Sequence, residues 1–379
     1  MSQASWFQYE PPSLNQVVLL LLIQSVFLMT YVIARSSRRS RLGATQELEV
    51  AVREVAQREA LLDEAKRELD QALRVGGPGR FTGQVLGSFR LGVLTGRGAM
   101  GDVYEAVHVE TKQLAAVKLL SRGALGDSEQ VRRFIREANI ARSLATPHIA
   151  LVHEVGDGSA PLPYIAMELL RGQDLAQILR DRRLLTVAEC AHLVEEVSRG
   201  IGVAHQAGVV HRDIKPQNLF QQDNGAGPSV WKILDFGVSR LISNEGTLTQ
   251  GQAIGTPAYM SPEQARGRTA DHRADIFSLG VVAYRCITGR PAFSGKDVPE
   301  ILHNVVYSVP PRPSDTGEVS EQLDWVLAIA LSKRPEDRFG EIRELSEQFA
   351  AAAAGRLATP MRARAERLVQ SFPWGSRLK

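Results

Sequence analysis

Three separated groups of residues have the types and spacing to handle a polyphosphate. The first is Gly96-Arg97-Gly98-Ala99-Met100-Gly101-Asp102-Val103, which lies between two β-like runs. Glycines in such a hairpin let the backbone lie close over phosphates without side-chain interference. Alone the pattern is weak, because an ordinary glycine-rich turn reads the same way and a dinucleotide fold uses it to open a helix. The second group is Ala115-Ala116-Val117-Lys118 in the next β-like run. Its lysine has the spacing of one that contacts the α- and β-phosphates. The third is Phe134-Ile135-Arg136-Glu137 in a helical run, where Glu137 is placed to pair with Lys118. Taken singly, Lys118 is a surface lysine and Glu137 a solvated helix face. Their order and spacing carry the reading.

Further along comes His211-Arg212-Asp213-Ile214-Lys215-Pro216-Gln217-Asn218, then Asp235-Phe236-Gly237 behind the β-like Trp231–Leu234. Gly255-Thr256-Pro257-Ala258-Tyr259-Met260-Ser261-Pro262-Glu263 follows. Together these motifs resemble the eukaryotic-like (Hanks-type) protein kinase family, found in bacteria as membrane-anchored serine/threonine kinases. The resemblance runs from about Phe89 to Ala350. It implies phosphoryl transfer, in which catalysis rests on positioning and charge neutralisation.

Residue by residue, the resemblance makes Asp213 the group that accepts or orients the proton of the acceptor hydroxyl. Lys215 is implied as a cation near the transferring γ-phosphate. Its place two residues after Asp213 is similar to serine/threonine rather than tyrosine kinases. Asn218 and Asp235 would hold Mg²⁺ (or Mn²⁺), a hard cation that prefers oxygen ligands. ATP would lie against Thr95, Gly96, Arg97, Gly98, Ala99, Met100, Gly101, Asp102, Val103, Ala116, Lys118, Glu137, Glu168 and Leu170. The hinge meeting adenine would be Glu168-Leu169-Leu170, with Met167 as gatekeeper, and Phe236 would pack against the helix bearing Glu137. Glu263 is expected to form a buried, structural ion pair with Arg338. Asp275-Ile276-Phe277-Ser278-Leu279-Gly280 resembles the family's next anchor helix. Three positions depart from the pattern: Ser261 replaces Ala, Phe277 stands where Trp is common, and Thr95 stands where an aliphatic residue caps the adenine. The last weakens the expected grip on nucleotide without removing a catalytic group.

The elements that must position these residues are legible from periodicity. Phe89–Leu94, Val103–Val109 and Leu114–Leu120 read as short strands, and longer helical patterns follow. From Thr186 to His205, Thr186 and Glu189 have capping-box spacing. Val187, Cys190, Val194, Val197, Ile201 and Ala204 form one apolar stripe. Strands first and helices afterwards predict an α+β, two-lobed kinase fold: a small β-rich lobe and a larger helical one.

The domain is expected at 89–350, behind a 76–88 linker marked by Gly76-Gly77-Pro78-Gly79. Leu14 to Ala34 carries no charge and, as a helix, would rise roughly 31 Å, about one hydrocarbon core. Arg35, Arg38, Arg39 and Arg41 follow as a positive-inside flank, which predicts a single-pass bacterial plasma-membrane anchor with the kinase in the cytoplasm. Residues 1–13 are read as a short extracytoplasmic segment, expected to be too few for a folded external sensor. In the 35–75 segment, Leu48, Val55, Leu62 and Leu69 repeat every seventh position, with Ala51, Ala65 and Ala72 at the complementary positions and Arg58 interrupting that series. Residues 44–74 therefore read as a weak parallel coiled coil that would give a homodimer, or as a solvated juxtamembrane spacer.

The chain has 379 residues and a formal charge of +3. The basic excess is local, in the 351–379 tail (Arg356, Arg362, Arg364, Arg367, Arg377, Lys379), and no basic aromatic stripe suits nucleic acid. That tail is expected to be disordered, with some spacing for a membrane-surface helix (Leu357, Met361, Leu368). Cys190 and Cys286 sit in apolar runs and read as buried thiols. Protein substrates are implied, and Arg212 before Asp213 implies a basic pocket for an activation-loop phosphate. Thr247, Thr249 and Thr256 are the candidate sites, with Thr247 or Thr249 favoured for autophosphorylation. The rival class is a membrane-anchored pseudokinase scaffold, which would have lost Lys118, Asp213, Asn218 or Asp235. A small-molecule kinase would not need the Gly255–Glu263 segment.

Overall fold

The computed structural model describes Met29 and residues 77–98, 101–121, 125–156, 162–225, 227–235, 257–316 and 319–377. The expected span 14–34 apart from Met29, the arginine flank, the 44–74 helix, Ala99, Met100, and 236–256 with Thr247, Thr249 and Thr256 lie outside the described residues. Among the described residues no helix is long and apolar enough to cross a membrane.

Alternating small and aliphatic residues build the first lobe as an antiparallel six-stranded sheet, in the order β1-β2-β3-β4-β6-β5. Its strands are β1 Val85–Leu86, β2 Phe89–Gly98, β3 Gly101–His108, β4 Leu114–Leu120, β5 Val152–Gly156 and β6 Tyr164–Glu168. Strand β4 is central, so both of its faces are covered. Ala115, Val117 and Leu119 join Tyr104, Ala106 and Ala166 in the core on one face. Period-two alternation then puts Ala116, Lys118 and Leu120 on the other face. That second face is covered by helix α1, Ser128–Ser143, whose N-cap Asp127 accepts from the Glu129 and Gln130 amides. Phe134 and Ala138 pack there with Leu120, Val152 and Ile165. Glu137 shares their helical face, which is why a carboxylate lies buried on the cleft side.

The second lobe is helical around a small β7-β8-β9 sheet. Its elements are β7 Gly172–Asp174, α2 Leu175–Arg182, α3 Val187–Gln206, β8 Leu219–Gln222, β9 Val230–Ile233, α4 Pro262–Ala265 and α5 Arg273–Thr288. Then come α6 Val298–Tyr307, α7 Glu321–Ala330, α8 Ile342–Ala353 and α9 Thr359–Ser371. The capping box of α3 forms as its sequence predicts: Thr186 accepts from the Glu189 amide and Glu189 reaches back to the Thr186 amide. Cys190, Leu193, Val194, Val197, Ile201 and Ala204 are fully buried along it, the larger of them each stabilising by about 1.5–3 kcal/mol. Gly200 allows the close approach of α3 to β9, since a Cβ there would meet Ile233 Cδ1 at 2.7 Å. Helix α5 is buried all round from Ala274 onward, the pattern of a helix at the centre of its lobe.

Two boundaries differ from the sequence reading. The first lobe begins before Phe89, within the segment read as a linker. Strand β1 pairs with Arg90 and Phe89, and the Leu94 amide donates to Gly77. These residues satisfy the edge of β2, which a composition-based boundary cannot register. The basic tail, expected to be disordered, is instead helix α9 packed on the second lobe. Its Ala365 is fully buried, and Leu357, Met361, Leu368 and Trp374 pack against the same core. Two of its arginines also rest on rings of that lobe. Arg362 lies over the Trp325 ring at 4.5 Å and Arg364 over Phe339 at 5.7 Å.

Candidate active site

The roof of the cleft is the β2–β3 hairpin. Gly96 pairs with Val103, Arg97 with Asp102, and Gly98 with Gly101. Two register irregularities, between Leu91 and Leu94 and between Leu94 and Gly96, increase the local twist of the ribbon. At the tip, Arg97 donates to both carboxylate oxygens of Asp102, at 2.9 and 3.3 Å. Gly101 (φ +153°) cannot be replaced cheaply, because a Cβ there would sit 1.7 Å from the Leu119 carbonyl oxygen. The Thr95 hydroxyl donates to the Val103 carbonyl at 3.2 Å, which ties this unusual residue to its own hairpin.

Below the roof, Lys118, Glu137, Met167, Ile165, Ile233 and Asp235 line one cleft. Strand β4 delivers Lys118 between Val103 and Ile165 in register, and its ammonium meets Asp235 Oδ1 at 2.6 Å. Protein packed around the Asp235 carboxyl favours its neutral form, but the Lys118 charge and hydrogen bond outweigh this and hold its pKa below the usual value. The side chain still keeps 43% of its surface accessible. Asp235 has φ +46°, an uncommon backbone for a non-glycine residue. At the hinge end of β6, the Glu168 carboxylate accepts from Lys232 Nζ at 2.7 Å and from the Leu151 amide at 2.8 Å. Leu170 follows two residues on, half-buried.

The 211–218 loop is bound from several directions. Asp213 Oδ2 accepts from Lys215 Nζ at 2.8 Å and from Asn218 Nδ2 at 3.0 Å. Asn218 Nδ2 also donates to the Asp213 carbonyl at 2.8 Å. The buried His211 ring joins this loop to the Asp235 segment: the Asp213 amide donates to Nδ1 at 3.2 Å, and Nε2 lies 3.2 Å from the Leu234 carbonyl. These partners assign the neutral tautomer with the proton on Nε2. Burial pushes the His211 pKa below its ordinary value, against the opposing pull of Asp275 and Asp213. Beneath, the fully buried Asp275 of α5 accepts from the His211 and Arg212 amides, both at 2.8 Å, and from His205 Nε2 at 2.8 Å. Arg212 is thereby held at φ +64°, which disfavours any residue with a side chain.

The expected Glu263–Arg338 pair is present and buried, with both guanidinium ends at 2.7 Å from the carboxylate. Arg338 also donates to the Ser332, Arg273 and Lys333 carbonyls at 2.9, 3.0 and 3.5 Å, so its remaining donors are used. Sequence reading missed Gln264, whose Nε2 donates to the Arg212 carbonyl at 2.9 Å. It also gave no part to His205 or to the ring of His211. Gln264 and His205 act through partners 52 and 70 residues away, and the His211 ring reaches Leu234 across 23, so no local signal marks these contacts.

The donor set suits a hard divalent cation. The Asn218 amide nitrogen is turned to Asp213, which leaves the Oδ1 side of the amide as an oxygen ligand. Leu234 donates to the Asn218 carbonyl at 2.9 Å, which brings the residue beside Asp235 to the same place. One amide oxygen and one carboxylate, completed by phosphate oxygens, is a coordination Mg²⁺ accepts.

A two-lobed fold with a glycine hairpin, a buried lysine and a braced aspartate loop defines a phosphotransferase class. The chain belongs to the protein kinase domain family, which matches residues 89–349. It is similar to the serine/threonine-protein kinase PknE of Mycobacterium bovis, 35% identical over 72% of this chain and 47% of that protein. It is also similar to the serine/threonine-protein kinase PknB of Mycobacterium leprae, 36% identical over 68% of this chain and 42% of that protein. The chain thus spans less than half the length of these curated relatives. Among solved structures, the PknI kinase domain of Mycobacterium tuberculosis aligns with a TM-score of 0.57 and 30% identity, covering 72% of this chain and 98% of that one.

Proposed function

We propose that the chain is a serine/threonine protein kinase that transfers the γ-phosphate of ATP to protein hydroxyls. The observation that carries this reading is the Asp213 carboxylate, held between Lys215 and Asn218. An aspartate braced this way orients an acceptor hydroxyl and receives its proton, while Lys215 offsets charge on the transferring group. The glycine hairpin from Gly96 to Val103 covers the phosphates and Lys118 contacts them. Glu137 belongs to the same charged cleft. Ala116, Glu168 and Leu170 frame the adenine end. Asn218 and Asp235 would hold the divalent cation, Mg²⁺ or Mn²⁺, which when bound would neutralise phosphate charge. With nucleotide bound, Lys118 would turn from Asp235 to the phosphates and Asp235 would be left as a ligand for the cation.

The same proposal includes a single-pass membrane anchor at 14–34, dimerisation through 44–74 and autophosphorylation on Thr247 or Thr249, with Thr256 positioning the acceptor. It is supported by the uncharged run with its arginine flank, the heptad spacing, and Arg212 beside Asp213. The decisive test is transfer of label from ATP to a protein acceptor by the full chain, compared with Asp213→Asn. Loss of labelling in the variant is expected, and equal labelling by both overturns the mechanism. Binding of ATP by the unaltered chain without any transfer would instead favour the pseudokinase reading. Phosphate mapped only outside residues 239–256 removes the autophosphorylation sites.

A further inference from the structure

Helix α9 lies beyond the 89–349 span of the kinase family, yet it reaches back to the turn that carries Arg338, the partner of Glu263. Arg364 Nη2 donates to the carbonyls of Asp337 and Arg338, at 3.0 and 2.6 Å. Those carbonyls end the 3₁₀ turn Pro335–Asp337, and the next side chain is the Arg338 guanidinium that holds Glu263. Glu263 lies in α4, which opens on a capping box between Ser261 and Gln264. Gln264 in turn donates to the Arg212 carbonyl, one residue before Asp213. Hydrogen bonds and covalent neighbours therefore run without a break from the C-terminal helix to the aspartate loop.

We propose that Arg364 is a positioning residue for the protein acceptor: through Arg338 and Glu263 it sets the 257–266 segment against the Asp213 loop. The inference rests on the serine/threonine kinase reading above. The hydrogen-bonded path makes such coupling physically available, and a measured coupling is what establishes it. Arg338 is fully buried, so its guanidinium follows its backbone. Arg364 fixes that backbone from the outer side, where a Lys would present a single point charge in place of a planar fork. Neighbouring Arg362 is a contrast on the same helix: it pairs with Glu366 and stacks on Trp325, without contact to this path.

The test uses the full chain with a peptide acceptor and two readouts. In Arg364→Ala the acceptor KM should rise roughly fivefold while the KM for ATP stays at the wild-type value. Amide exchange at Ala265, Arg266, Gly267 and Arg268 should speed up by a similar factor. Arg362→Ala should leave both readouts at wild type. Met361→Ala is the folding control, because it loosens the apolar face of α9 and leaves the two carbonyls alone. If its acceptor KM rises as far as that of Arg364→Ala for the same fall in melting temperature, the positioning role is overturned. An unchanged acceptor KM in Arg364→Ala also overturns it. Should that variant fail to fold, Arg364→Lys carries the same expectation, and a wild-type KM there refutes it. A wild-type chain that labels no protein acceptor would remove the proposed function, and the exchange measurement would still decide whether Arg364 orders α4.

Discussion

Replacing Asp275 by Asn should loosen the aspartate loop from below. The fully buried carboxylate accepts two main-chain amides, from His211 and Arg212, and the His205 ring, all at 2.8 Å. An amide of the same shape presents one oxygen, so one of the two N–H groups must face an NH₂. Losing a hydrogen bond to a charged group and leaving a buried donor unmet costs about 3 kcal/mol. That corresponds to a fall in Tm of roughly 6–12 °C for a domain of this size. Arg212 at φ +64° is the weak point, because this backbone persists only while the surroundings enforce it. Once the tether slackens, Asp213 moves with its neighbour, and a displacement near 1 Å costs about a hundredfold in kcat. Urea unfolding followed by tryptophan fluorescence measures the first effect, and steady-state phosphoryl transfer the second. Stability within about 1 kcal/mol of wild type, together with an unchanged kcat, would refute the argument that α5 holds the loop.

Arg338→Met should cost about 3–5 kcal/mol by stranding the buried Glu263 carboxylate. Adding Glu263→Gln should recover part of that loss, and strictly additive losses in a double-mutant cycle would contradict a direct pair. His211 is held neutral, its folded pKa below the unfolded value of about 6.5, so its contribution to stability is complete above that pH. It is lost as pH falls through the folded pKa. The urea midpoint should therefore decline between pH 7.5 and 5.5, and His211→Gln should show a shallower decline (about those values being set by the imidazole range). Equal slopes would exclude this ring as the source. The two cysteines are buried and free, and the Cys190 thiol is pushed well up by its hydrogen bond with Cys286 and by burial. Neither should react with a thiol reagent in the native chain and both should react in guanidinium. Fast native labelling of either would show that the α3–α5 contact opens.

Much of the site was legible in the sequence because its determinants are local. A glycine hairpin, a period-two strand that turns Lys118 away from Val117 and Leu119, and a capping box at Thr186 each depend on residues within one or two turns. The Lys215–Asp213 and Asn218–Asp213 contacts span two and five residues, so the octet itself encodes them. Thr95 was singled out as a departure, and the structure gives its hydroxyl a partner within the same hairpin.

The remainder depended on contacts between residues far apart in the chain. Asp275 reaches the loop from 64 residues away, Gln264 from 52, and Glu263 meets Arg338 across 75. The sequence named Asp275, Glu263 and Arg338 only through a family resemblance, and did not connect Gln264 or Arg364 to the site. Composition also misread the tail, because arginines that look solvated in a sequence can lie over rings and cap carbonyls once a surface is present to receive them. The sequence by itself determined the chemistry, since side-chain types and short spacings set which groups can act together. The tertiary structure alone decided how the Asp213 loop is held, because buried amides must find acceptors and packing determines which distant side chain supplies them.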